Sequence, residues 1–334
     1  MRTKTSEPAA PPAARTWIRL YPRGPDGPRI DRLETHAFMV GRFRCPPTAP
    51  QWGHANMVGS YPLVVIPHHA VEILRAKIEP VLASPARCVF YNAHQEYERR
   101  LVDPRGDDCT YFALQPELLA DVVATELDTS SVDPSAPFEV EGGTLGTDCY
   151  AQYQSILRTL ASDPCDPAAM LEPILGLMGA IVRTSRSRSK PKAASSRRGT
   201  TARHRTLVHE TERLLGERFD EPLGLAQIAA TVGASPYHLA RIFRATTGHT
   251  IHEHRTQIRI NVAIQRLADP HIPLTDLALD LGYSSHSHFS DQFRRSVGIP
   301  PSMLRAALDS RSLRRSPSTI LKAVHPARCV ASRA

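Results

Sequence analysis

The chain has 334 residues, 41% of them hydrophobic and 22% charged, with a formal net charge of +8. That balance excludes a wholly disordered or collagen-like chain, and the length suits two domains, each with its own core. The opening MRTKTSEPAAPPAARTW has basic residues but no apolar core, so residues 1–15 read as a disordered leader rather than a signal peptide. No unbroken apolar run reaches the ~18 residues of a membrane span; the longest candidate, 171–182, is interrupted by Glu172 and Pro173. Six cysteines, at 45, 88, 109, 149, 165 and 329, include no CxxC pair. Reduced thiols in a cytoplasmic, membrane-free protein are the plain reading.

In chain order, short apolar or alternating segments come first, at 17–21, 37–43, 63–66, 71–74, 88–91, 97–102 and 110–114. Turn-rich PRGPDG, RCPPTAP, IPHH, NAHQE and DPRGDD separate them. Strands at this spacing predict an all-β sandwich or barrel. His54, His68, His69, Glu72 and His94 are the candidates for a metal centre there. His68 and His69 are adjacent, so on a strand they point to opposite faces, and one His68–Glu72 pair is too little for metal catalysis. No nucleophile elbow, P-loop or dinucleotide fingerprint occurs. The sequence therefore offers no catalytic residues, no metal site and no cofactor, and the chain does not read as an enzyme.

Two helices are predicted next, near 147–161 and 167–183. Tyr150, Tyr153, Leu157 and Leu160 form one apolar stripe; Met170, Ile174, Leu177, Met178 and Ile181 form another. These stripes either pack on the β-domain or offer a face to a partner.

The charge is unevenly placed. Residues 183–205 hold nine basic residues and no acid, and residues 311–334 hold six and none. The first stretch lacks large apolar side chains and cannot bury a core, so 184–206 reads as a flexible basic linker and 309–334 as a basic tail. Both attract polyanions, nucleic acid foremost.

Between them lies a repeat. Ile228, Ala229, Val232 and Gly233 match Leu277, Ala278, Leu281 and Gly282 at an offset of 49. Leu239, Phe243 and Gly248 match Phe289, Phe293 and Gly298 at 50. Each copy reads as a short helix, a glycine turn, a Ser cap (Ser235 in one, Ser284 or Ser285 in the other) and a second helix. That is the arrangement that offers its second helix to a DNA major groove. A helix carrying Ile258, Val262 and Leu267 joins the copies and ends at Pro270.

Residues 207–308 resemble the DNA-binding domain of the AraC/XylS family. The blocks IAATVGASPYHLARIFRATTGHTI and IPLTDLALDLGYSSHSHFSDQFRRSVGIPPSMLR carry the resemblance, with Arg259, Ala263 and Leu267 between them. It implies seven helices and two helix-turn-helix units reading adjacent major-groove segments of promoter or operator DNA. Base-reading positions fall on Tyr237 and Arg241, and on Ser287, His288 and Asp291; phosphate contacts fall on Arg244, Arg294 and Arg295. Two positions depart from the family pattern. Asp291 stands where relatives usually carry Arg; it either accepts from cytosine N4 or pairs with Arg294 or Arg295. Leu304 stands where Tyr is common and reads as core.

Residues 16–120 resemble the cupin-like sensor domain found on such regulators, across GRFRCPP, ARCVFYNAHQEYERRLVDP and TYFAL. The family implies that residues 147–183 form a homodimer contact, that a small-molecule effector is possible, and that RNA polymerase is a further partner. The expectation is a two-domain regulator. Residues 16–183 would be an N-terminal all-β, cupin-like (jelly-roll) barrel with a helical dimerisation segment, and 207–308 a C-terminal all-α double helix-turn-helix domain. The rivals are a cupin-type metal enzyme with a DNA-binding appendage and a non-specific architectural DNA binder.

Overall fold

The computed structural model describes residues 18–20, 27–76, 78–161, 166–186 and 198–309. The leader, the tail beyond Asp309 and residues 187–197 of the expected linker lie outside the described residues.

The N-terminal region is built of β1 (Ile18–Leu20), β2 (Arg29–Glu34), β3 (Phe38–Cys45), β4 (Asn56–Met57), β5 (Leu63–Pro67), β6 (Val71–Arg75), β7 (Ile78–Ala83), β8 (Arg87–Tyr91), β9 (Glu96–Leu101), β10 (Asp107–Leu114) and β11 (Gly142–Thr144). These form two antiparallel sheets, ordered β1-β2-β3-β10-β5-β8-β11 and β4-β9-β6-β7. β10 shows the logic of the larger sheet. Its residues alternate, so Cys109 and Tyr111 face the smaller sheet across a cavity, while Phe112 and Leu114 join the main core under the helices. β5 and β8 are covered on both faces and read as continuous apolar runs.

Three helices cover the outer face. α1 (Pro116–Leu127) starts on Pro116 and ends on Asp128 in the left-handed region, φ 56°. It was not anticipated, although Leu119 and Val123 give it a buried stripe. α2 (Thr147–Ala161) and α3 (Leu171–Arg186) follow. Both stripes are consumed inside the chain. Tyr150, Tyr153, Leu160, Ile174, Leu177, Met178 and Ile181 are all fully buried in the main core. Of the two readings of these stripes, packing within the chain is the one the structure shows. By length and composition the stretch Pro167–Ser185 would suffice to cross a bilayer; here it packs against α1, α2 and β11.

The C-terminal region has seven helices among the described residues: α4 (Arg198–Glu217), α5 (Leu225–Thr231), α6 (Pro236–Thr247), α7 (Ile251–Arg266), α8 (Leu274–Asp280), α9 (His286–Val297) and α10 (Pro301–Asp309). The expected linker 184–206 is shorter than its composition suggested. Residues 184–186 close α3 and 198–206 open α4, whose Leu207 and Val208 are buried.

The two regions are packed together by polar as well as apolar contacts. Asn261 of α7, fully buried, donates to the carbonyls of Pro85 and Leu145 at 2.8 and 3.0 Å. His209 of α4 lies 2.7 Å from Glu72. Arg205 pairs with Glu79 at 3.1 Å. Thr147 donates to the carbonyl of Ser296 in α9 at 3.1 Å. Gly216 lets α4 approach β7 closely: a Cβ there would stand 3.0 Å from the Ala70 side chain and 3.5 Å from Leu82.

Candidate nucleic-acid interface

Each helix-turn-helix copy is fixed by the same local devices. In the first, Gly233 turns the chain at φ 69°, and the Ser235 hydroxyl caps α6 by accepting from the His238 amide. Pro236 occupies the first turn, where its missing N–H costs nothing. In the second, Gly282 turns at φ 74° and Ser285, not Ser284, caps α9 by accepting from the His288 amide. Leu239, Ile242 and Phe243 anchor α6; Phe289, Phe293 and Val297 anchor α9. Gly248 and Gly298 end the two helices in the left-handed region. Leu225, the first residue of α5, is 41% exposed.

Burying those faces leaves the other faces free. Tyr237 is 80% exposed, and Arg241, Ser287, His288 and Asp291 are exposed as well. So are Arg244, Arg294 and Arg295. Tyr237 and Arg241 are one turn apart on α6, as Ser287 and Asp291 are on α9. Among the described residues none of these four arginines makes an ion pair, and Asp291 pairs with neither Arg294 nor Arg295. His288 is the most constrained, with Nδ1 3.3 Å from the Ser284 hydroxyl and its ring 5.4 Å from that of Tyr283. Arg259, conspicuous in the connecting helix, faces inward. Its Nε donates to the Phe219 carbonyl at 2.6 Å, and its guanidinium lies over Tyr283. It ties α7 to the loop after α4.

The metal candidates do not converge. His68 and His69 lie in the link between β5 and β6, not on a strand, so the opposite-faces argument does not apply to them. They diverge all the same. His68 Nε2 is 2.7 Å from the Tyr153 hydroxyl and its Nδ1 3.1 Å from Asp108, whereas His69 Nδ1 contacts the Gly106 carbonyl. Glu72 is taken up by Arg100 and His209. Among the described residues no group of three or more His, Cys, Asp or Glu side chains is placed to hold a metal ion.

Sequence reading missed two sets of residues. One is the contact between the regions, centred on Asn261. The other is the cavity between the sheets, about 240 Å³ in volume, with the buried pair Arg99–Asp107 at 3.0 Å on its wall. Neither has a sequence signal, since each is assembled from segments far apart in the chain.

Comparison with known proteins agrees with the geometry. A family model described as a helix-turn-helix domain matches residues 228–307. The regulatory protein SoxS of Salmonella typhimurium is 34% identical over 105 residues, which are 31% of this chain and 98% of SoxS. The multiple antibiotic resistance protein MarA of Escherichia coli is 26% identical over 110 residues, 33% of this chain and 84% of MarA. Among solved structures, an AraC-type transcriptional regulator from Chromobacterium violaceum is 28% identical, with 34% of this chain and 99% of that one covered and a TM-score of 0.29. ToxT from Vibrio cholerae covers 83% of this chain and 100% of its own at 9% identity, with a TM-score of 0.32. Superpositions this loose place no individual residue. With SoxS matched over almost its whole length, and with two capped helix-turn-helix units in the region that matches, the chain belongs to the AraC/XylS family of DNA-binding transcription regulators.

Proposed function

We propose that the chain recognises a specific promoter or operator by laying α6 and α9 into two adjacent major-groove segments, and that its N-terminal β-domain modulates this binding. The observation that carries the reading is the pair of helices whose outer faces hold four arginines that make no ion pair among the described residues. Arg241 offers a planar fork to guanine O6 and N7, worth about 1–3 kcal/mol of discrimination. Tyr237, Ser287 and His288 complete the base contacts. Asp291, exposed and unpaired among the described residues, is available to accept from cytosine N4. Arg244, Arg294 and Arg295 hold phosphates and set the register without reading sequence. Two units in one chain span the site without a second copy, and the protein acts in the cytoplasm.

The N-terminal domain, read as cupin-like, has an apolar cavity between its sheets and makes direct contacts to α4, α7 and α9. A molecule in the cavity would thus act on elements that set the spacing of the two recognition helices, which supports a sensing role.

Selection from random duplex DNA at near-physiological salt tests the reading. Two half-sites about ten base pairs apart are expected, and Arg241→Ala should relax one half only. Binding that is salt-sensitive but selects no motif would instead favour a non-specific architectural role.

A further inference from the structure

We propose that the cavity between the sheets takes an uncharged aromatic molecule with one oxygen acceptor, which Arg99 holds. This rests on the sensing role given to the N-terminal domain and names the chemistry sensed. Size comes first. The cavity is about 240 Å³, and an apolar cavity of about 150 Å³ already admits benzene. There is room for one ring and a small substituent.

The walls come second. Val58, Val65, Val71 and Ile73 line the cavity with the rings of Phe43 and Tyr97. A polyol would leave most of its hydroxyls without partners against such walls, and each buried, unpaired hydroxyl is penalised. An aromatic ring loses nothing there.

Charge decides the remaining choice. Arg99 is 5% exposed and Asp107 7%, and Arg99 donates to Asp107 at 3.0 Å. The guanidinium also lies over Phe43 at 4.5 Å and Trp52 at 5.7 Å. Its positive charge is already balanced. A carboxylate ligand would bring a second negative charge beside Asp107 with no further cation among the described residues of the cavity lining, and an uncompensated buried charge is costly. A carbonyl or hydroxyl oxygen avoids that cost. It also meets a donor, because the Arg99 guanidinium is part of the cavity wall. Met57, also in the lining and 66% exposed, marks where the cavity meets solvent.

The test is calorimetric titration of the full chain with four probes: acetophenone, benzoate, ethylbenzene and arabinose. Acetophenone should bind about tenfold or more tighter than benzoate at pH 7, and arabinose not at all. The double variant Arg99→Met/Asp107→Leu removes both charges together and leaves neither buried alone. It should weaken acetophenone about tenfold and leave ethylbenzene unchanged. Val71→Phe, which fills the cavity with the ion pair intact, should abolish binding of both; it keeps the site testable if the double variant does not fold. Benzoate binding as tightly as acetophenone, or a double variant that binds acetophenone normally, overturns the proposed chemistry. Acetophenone binding that survives Val71→Phe overturns the proposed site. Operator affinity measured with and without acetophenone separates the two levels: binding that leaves DNA affinity unchanged supports the ligand chemistry and sinks the sensing role.

Discussion

Asp108 shows how one side chain joins the strands to the helices. Burial pushes its carboxyl up, but two hydrogen bonds from Arg42, at 2.8 and 2.5 Å, and the adjacent His68 outweigh this and hold it well below the usual carboxylate range. His68 in turn touches Tyr153, whose hydroxyl donates to Thr110 at 2.7 Å. A carboxyl whose folded pKa is depressed contributes stability above its unfolded value and loses it as pH falls through the folded one. Stability should therefore decline on acidification below about pH 4. Asp108→Asn should cost about 1–3 kcal/mol at pH 7 and flatten that decline. Urea denaturation at pH 7 and pH 3 measures both, and a variant as stable as the parent at pH 7 would show the network to be idle. None of this was legible in the sequence. His68 stood out there as a metal candidate, because residue type is visible in a sequence and partners are not.

Among the elements, legibility followed pattern. Segments with a clean alternation or an unbroken apolar run, such as Leu63–Pro67 and Arg87–Tyr91, were recognised from sequence and are strands. β2 was missed because RIDRLE has only Ile30 and Leu33 as apolar residues, on opposite parities; charge pairs with β3, such as Arg44–Asp31 at 2.5 Å, help hold it instead. β7 was missed because Pro80 argues against a strand. It is tolerated there because β7 is the edge of its sheet. The helix-turn-helix units were the most legible elements, since cap, turn and anchor all lie within about twenty residues of one another. Their two turns are nevertheless not equivalent. Around Gly233 a Cβ would meet nothing, whereas at Gly282 it would fall 1.8 Å from the Asp220 carbonyl oxygen. Gly233→Ala should cost only the left-handed backbone, about 1–2 kcal/mol. Gly282→Ala should cost considerably more, because backbone must move as well. Thermal melts of the two variants provide the comparison, and equal losses would contradict the asymmetry.

At the scale of the whole molecule, the two regions share one hydrophobic cluster, running from Leu33 to Leu308. Asn261 is its polar fastening. The Oδ1 accepts from Gln257 at 2.9 Å while Nδ2 serves two N-terminal carbonyls. Asn261→Leu would leave those carbonyls buried and unpaired, at about 1–3 kcal/mol each. Calorimetry should then show the single unfolding transition of the parent splitting into two, with operator affinity altered because α7 is no longer held. A variant with one transition and unchanged DNA affinity would argue that the contact couples nothing.

The sequence by itself determined what is local and repeated: the family, the second helix of each helix-turn-helix unit, their caps and turns, and the exposed arginines. Each of these depends on residues close together, whose spacing sets which face a core can bury. Only the tertiary structure decided the rest. It buried the stripes of α2 and α3 within the chain, turned part of the basic stretch into α4, and set Arg99 beside Asp107 on the wall of a cavity. It also brought Asn261 to Pro85 across 176 residues of chain. Such contacts depend on how layers stack, and no spacing along one strand or helix specifies the layer that will cover it.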